Sequence, residues 1–171
     1  MNIYLISEDT IKSESYINDN LDSSLLLPSI QTAQDMHLQP LIGTNLYKKL
    51  MELIKTNDIT KESNKQYKQL LDEYVKPFLI YAVQMDIQIP LAFKMRNAGI
   101  IQSNNEYVNN SYLNDVQSLK SYYEQKMNFY GIRMSDWLHA NSNIISEYNT
   151  RVDCSEMPSD SNAYNSGILL D

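Results

Sequence analysis

Ile30 to Leu50 reads IQTAQDMHLQPLIGTNLYKKL, and its punctuation decides the fold class. Ile30, Ala33, Gln34, Met36 and Leu38 fall at helical spacing. Pro40 lacks an N–H and drives Gln39 out of the helical region, so the spacing predicts that the first run stops there. Gly43 can take a positive φ in the corner. Thr44 or Asn45 can cap a second helix with a side-chain oxygen. Leu46, Leu50, Leu53 and Ile54 then restart an apolar stripe of 3.6 period. The stretch therefore predicts a helix, a tight corner and a helix. The corner is built by Leu38, Pro40, Leu41, Gly43, Leu46 and Tyr47, with Leu41 and Ile42 as its apolar pair.

Outward from the corner the chain continues in helices. Ser7 is placed to cap a short helix over about 8–15, with Glu8 and Asp9 in its first turn. Asp22 to Ser24 open the first main helix, and Pro28 suggests that its regular part starts nearer Leu27. The second main helix runs over about 44–56. A third starts near Thr60 and uses Tyr67, Leu70, Leu71, Tyr74 and Val75 as its apolar face. Pro77 predicts a kink or a fresh start. Phe78 to Ile87 are apolar nearly all round, which marks a buried helix, and Pro90 is read as its end.

Residues 92–102 alternate and carry a turn at Asn97 to Gly99, which predicts a small β-hairpin. A long helix over 108–140 follows, striped by Tyr112, Val116, Leu119, Tyr123, Lys126 or Met127, Tyr130, Met134 and Trp137 at a period near 3.5. Gly131 is its weak point. From Asn141 onward Asn, Ser and Asp dominate. The predicted fold class is mainly α, a helical bundle of four to five helices with a small β-hairpin and an extended C-terminal arm. The domains are 1–140, helical, and 141–171, the arm. The arm has spaced apolar residues that can gain order along another surface. Phe93, Met95, Ile100 and Ile101 in the hairpin, and Tyr148, Tyr164, Ile168, Leu169 and Leu170 in the arm, are assigned to an interface.

The chain of 171 residues fits one domain and its arm. Its net charge is −7. That argues against a nucleic-acid binder acting through phosphate neutralisation, which needs a basic stripe. Cys154 is the only cysteine, so an intramolecular disulfide and a cysteine zinc site are both excluded. The first ten residues carry no basic leader and no long apolar core, the pattern of a chain without a signal peptide. No run approaches the roughly 18 apolar residues of a membrane span.

Catalytic motifs are absent from the sequence. The two histidines, His37 and His139, lack metal-binding spacing. With glycine only at 43, 99, 131 and 167, no phosphate-cradling loop and no nucleophile elbow can be written. Asp72, Glu73 and Asp86 read as solvated helix faces. No catalytic residue, cofactor or metal is assigned. Thirteen tyrosines suit either a protein interface or a codon bias, and both readings stay open.

The pattern A-Q-x-x-x-L-x-P-L-I-G-x-x-L-Y, Ala33 to Tyr47, is followed by L-D-x-Y-V-K-P-F-L, Leu71 to Leu79, and by N-A-G, Asn97 to Gly99. In order and spacing this series resembles the head–tail connector (adaptor) proteins of tailed bacteriophages, and among them the neck ring proteins of crAss-like and related phages. The resemblance covers roughly residues 3–137. It implies a non-enzymatic structural protein of the virion neck, assembled in the host cytoplasm. Its partners would be itself in a ring, typically twelve-fold, the portal protein, and a tail or further ring protein. DNA would pass through the channel without specific binding, and no membrane would be involved. The residues themselves also permit a second class, a soluble helical adaptor or regulator that takes a partner helix or peptide in an apolar groove.

Overall fold

The structure is a computed structural model that describes residues 3–17, 20–96, 99–102, 111–148 and 157–159. At 93–96, 99–102 and 111–113 it describes the backbone alone. Helix α1 (Glu8–Glu14) starts at Ser7, whose Oγ accepts the Thr10 N–H at 3.1 Å. Its first turn is closed by a Lys12–Glu8 ion pair at 2.7 Å. Asp22 caps α2 (Ser23–Thr32) by accepting the Ser24 N–H at 2.8 Å. The helix therefore begins upstream of Pro28 rather than after it.

Pro40 does not stop the first main helix. After α2 the chain widens into a π-helical segment, Ala33–Leu38, and continues as α3 (Gln39–Ile42). The Gln39 N–H reaches back five residues to the Gln34 carbonyl. Helix α4 (Thr44–Lys55) comes next. The same device then recurs at Pro77. Helix α5 (Lys65–Leu70) passes through a π segment, Leu71–Val75, into α6 (Lys76–Asp86), with the Lys76 N–H bonded to the Leu71 carbonyl. Each proline stands two residues past a π segment. A proline ring in a regular helix strikes the carbonyl four residues back, and a wider turn moves that carbonyl aside. The extra residue in the turn also rotates the helix face. Leu38 is thereby fully buried, whereas Met36, expected on the same stripe, is 66 % exposed.

Gly43 makes the corner. Its φ of 81° and ψ of 156° lie in a region essentially reserved for glycine. Helix α4 follows with no side-chain cap. Neither Thr44 nor Asn45 takes the expected capping role. The Thr44 N–H instead donates to the carbonyl of Met157, at 2.9 Å, so a distant segment of chain satisfies one of the helix's open donors.

Two 3₁₀ turns, Asp58–Thr60 and Glu62–Asn64, lead from α4 to α5. Helix α6 is the centre of the core. It buries Phe78, Leu79, Ile80, Ala82, Val83, Gln84 and Met85. Ile87 breaks the helix, and Pro90 sits inside a short new helix, α7 (Gln88–Ala92), rather than ending the old one. Helix α8 (Ser111–Ala140) is 30 residues long and continues straight through Gly131. It packs along α6, which α2 and the first π segment also contact. A Cβ on Gly131 would stand 3.3 Å from Phe78 Cε2 and 3.4 Å from Leu41 Cδ1. The residue is therefore a point of close helix approach, not a weak point.

The fold class expected from the sequence needs one correction. The architecture is mainly α, and the expected hairpin adds no sheet layer to it. Among the described residues antiparallel pairing joins β1 (Phe93–Arg96) and β2 (Gly99–Gln102), four residues each, with Phe93 opposite Gln102 and Arg96 opposite Gly99. The pair joins no third strand among the described residues. Two four-residue strands cannot form a layer of their own, so the helices alone carry the domain. Ala92, expected to open the hairpin, belongs to α7. The Asn97–Ala98 part of the turn lies outside the described residues.

A buried amide ties the N-terminal segment to the core. Gln34 is fully buried. Its Oε1 accepts the Leu5 N–H at 2.6 Å and its Nε2 donates to the Ile3 carbonyl at 3.2 Å. Leu5 and Ile6 are thereby set into the core.

A candidate interaction face along the long helix

Helix α8 spans about 45 Å at 1.5 Å per residue. Its buried side is a narrow stripe of Tyr123, Met127, Gly131, Met134 and Leu138. Next to the stripe Tyr130 stacks on Tyr81 of α6 with ring centroids 5.3 Å apart, and Trp137 stacks on Tyr74 of the second π segment at 5.1 Å. Further round the helix the cover ends. Leu119 is 41 %, Tyr122 46 % and Phe129 60 % exposed. They step by three and seven residues, so they share one face.

Two cations lie along that face. The Lys126 ammonium is 4.9 Å from the Tyr122 ring centroid and 5.4 Å from that of Tyr81, and the Arg133 guanidinium is 5.2 Å from the Tyr74 ring. These are cation–π distances. A hydrogen bond to Tyr122 is the main reason the Lys126 pKa is held above the ordinary lysine value. Burial, more than any neighbouring charge, pushes the Tyr81 and Tyr123 phenols up. The result is a ridge of aromatic rings and aliphatic side chains with arginine and lysine laid flat against it. Exposed aromatics with arginine mark protein-binding surfaces. The ridge holds no general base beside a nucleophile. Among the described residues no three His, Cys, Asp or Glu side chains gather where a metal ion could sit. No helix of the described residues is long and apolar enough to cross a membrane.

The corner residues named from the sequence come together and share a structural task. Leu38 and Leu46 are fully buried, and Leu41 reaches Gly131. The Tyr47 hydroxyl donates to Asp35 Oδ1 at 2.7 Å, across the two helices that the corner joins. Burial and then that carboxylate raise the Tyr47 pKa far above its ordinary value of 10.0. Pro40 follows the π segment. Each fixed letter from Ala33 to Tyr47 is thus accounted for by packing or backbone geometry, and none by chemistry.

His37 Nε2 lies 3.1 Å from Asp86 Oδ2 and pins the first π segment to the end of α6. His139 Nε2 meets the Tyr148 hydroxyl at 3.3 Å. Asp72 pairs with Lys76, and Glu73 accepts from Gln69.

Tyr148, expected at an interface between chains, is placed elsewhere by the structure. It is 3 % exposed and, with Ile145, belongs to the core of its own domain. The turn after α8 puts it there: Ile144 and Ile145 bond back to Asn141, and a 3₁₀ turn, Ser146–Tyr148, packs against α4. Glu147 accepts the Tyr67 hydroxyl at 2.7 Å in the same region. The packed body therefore continues past Ala140. Tyr164, Ile168, Leu169 and Leu170 lie outside the described residues, as do the side chains of Phe93, Met95, Ile100 and Ile101.

The sequence reading missed Tyr122 and Phe129. The signal was present as a second apolar series on α8, offset from the stripe that faces the core. It also missed the seat of Met157, for which no local pattern exists.

No curated protein and no solved structure matches the chain. Residues 38–156, from the corner to the C-terminal region, match the family DUF6712, described as a family of unknown function. That span is more than half of the sequence, and the chain belongs to the DUF6712 family.

Proposed function

We propose that this protein is a structural subunit of the head–tail junction of a tailed phage. Copies of the chain form a closed ring between the portal and the tail, and DNA passes through its centre. The observation that carries the reading is the exposed aromatic ridge of α8. It is too apolar to be left facing water in a working assembly, and it runs along a helix that extends beyond the core it covers. In a ring, the neighbouring subunit covers it. The ordered series of motifs from Ala33 to Leu79 supports the same reading through the resemblance to connector proteins. The net charge of −7 suits a conduit, because a wall that repels phosphate does not hold the passing duplex.

A low-resolution electron micrograph of the concentrated full chain tests this. The proposal expects closed rings of uniform diameter. A field of single particles the size of one or two chains would instead favour the adaptor reading, in which the ridge takes one partner helix.

A further inference from the structure

Met157 to Ser159 return to the corner from far down the chain. The Thr44 N–H donates to the Met157 carbonyl at 2.9 Å, and the Met157 N–H donates to Thr44 Oγ1 at 3.1 Å, across 113 residues. Ser159 Oγ donates to the Tyr148 carbonyl at 3.2 Å. A Cβ on Gly43 would stand 2.8 Å from the Ser159 nitrogen, so only glycine admits the segment. The seat is therefore built from an open helix end, one hydroxyl and a missing side chain. It recognises an extended main chain through its backbone.

The segment lies at the surface. Met157 and Pro158 are exposed, and the described contacts are three hydrogen bonds. Eight residues, 149–156, separate it from Tyr148, which is anchored in the core. At about 3.3 Å per residue such a span reaches up to roughly 26 Å, so the link does not confine the segment to the corner of its own chain. We propose that the Gly43–Thr44 corner is a docking site between chains, and that in the assembled protein its occupant is Met157–Ser159 of a second copy. Every copy gives one segment and receives one, so each hydrogen bond made within a single chain is made again between chains. The exchange adds a tether between neighbours without a wide interface. This inference rests on the ring reading for its assembly.

The test uses full-length chains in which Cys154→Ser removes the only native thiol. Chains carrying Thr44→Cys are assembled with chains carrying Met157→Cys at high concentration. The particle mass is measured, and the sample is then oxidised and run without reductant. The proposal expects a disulfide-linked dimer containing one chain of each kind. The double variant on a single chain shows that the two positions can form a disulfide. An assembly of high mass in which the mixture gives no dimer, while the double variant closes within one chain, overturns the exchange and leaves the ring standing. A linked dimer without high mass overturns the ring and keeps the exchange. Neither signal overturns both. If Thr44→Cys fails to fold, wild-type chains mixed half labelled and half unlabelled give the same answer. An isotope-filtered Overhauser contact between Thr44 and Met157 of different chains supports the exchange, and a contact within one chain alone overturns it.

Discussion

Gly43→Ala loads two separate costs onto one methyl group. The first is conformational: φ of 81° with ψ of 156° is a region that an alanine occupies at a cost of about 1–3 kcal/mol. The second is steric. The new Cβ stands 2.8 Å from the Ser159 nitrogen, which is backbone and cannot swing away as a side chain would. Met157 to Ser159 must lift, and the two bonds to Thr44 go with them, at about 0.5–1.5 kcal/mol each. The expected loss is about 2–6 kcal/mol, a fall of about 1–3 M in the urea midpoint for a domain of this size. A chain ending after Tyr148 separates the two costs. It keeps the last described core residues, Ile145 and Tyr148, but lacks the segment, so only the conformational cost remains there. The measurement is paired urea unfolding of the native chain and the Gly43→Ala variant, each in both lengths. Equal losses in the two lengths would show that the segment does not sit on the corner, and a loss below about 0.5 kcal/mol in both would refute the geometry altogether.

Alkaline stability follows from Tyr47 and Tyr67, whose hydroxyls donate to Asp35 and Glu147 and whose pKa values are raised above 10.0 by burial first and by those carboxylates second. A folded-state pKa above the unfolded one gives stability that is whole below about pH 10 and is lost as pH rises through the folded value. The urea midpoint should therefore fall above about pH 10, and the Tyr47→Phe, Tyr67→Phe double variant should flatten that fall; an unchanged slope would count against it. Gly131→Leu should cost about 1–3 kcal/mol by forcing atoms into Phe78 and Leu41. Gly131→Ala should be close to neutral by thermal melting, because gained helix propensity of about 1 kcal/mol opposes a contact at 3.3 Å. Gln34→Ala strips the partner from the Leu5 N–H and should cost about 1–3 kcal/mol, with faster hydrogen exchange at Leu5 as its signature.

The helices were legible because their signals are local. Ser7 as a cap, the all-apolar run from Phe78, and Gly43 at the turn each act within a few residues, and each sits where its chemistry requires. The prolines misled for a definite reason. Pro40 and Pro77 do interrupt an α-helix, but a preceding π segment absorbs the interruption, and no rule of 3.6 spacing foresees an added residue in a turn. The same added residue moved Met36 out of the core. Pro90 misled differently, since the helix had already broken at Ile87. The alternation at 92–102 marks a strand pair, but two strands of four residues form no layer, so the architecture stays helical. The tail misled because composition says nothing about long-range partners. Ile145 and Tyr148 are two apolar residues in a polar run, yet they finish the core, and Thr44 finds its partner 113 residues away. The candidate face was half legible: the long helix was evident, but the seam of Tyr122 and Phe129 became visible only once the buried stripe had been told apart from it.

Whether another copy of this chain covers the ridge on α8 is decided by solution mass, measured for the full chain beside a variant carrying Leu119→Asp and Phe129→Ser. Both residues are exposed in the single chain, so helicity per chain should not change. A ridge buried between copies gives one large, uniform species for the native chain, near twelve copies, and a folded monomer for the variant. A native chain that stays monomeric at every concentration, or a variant that assembles as the native chain does, would contradict it.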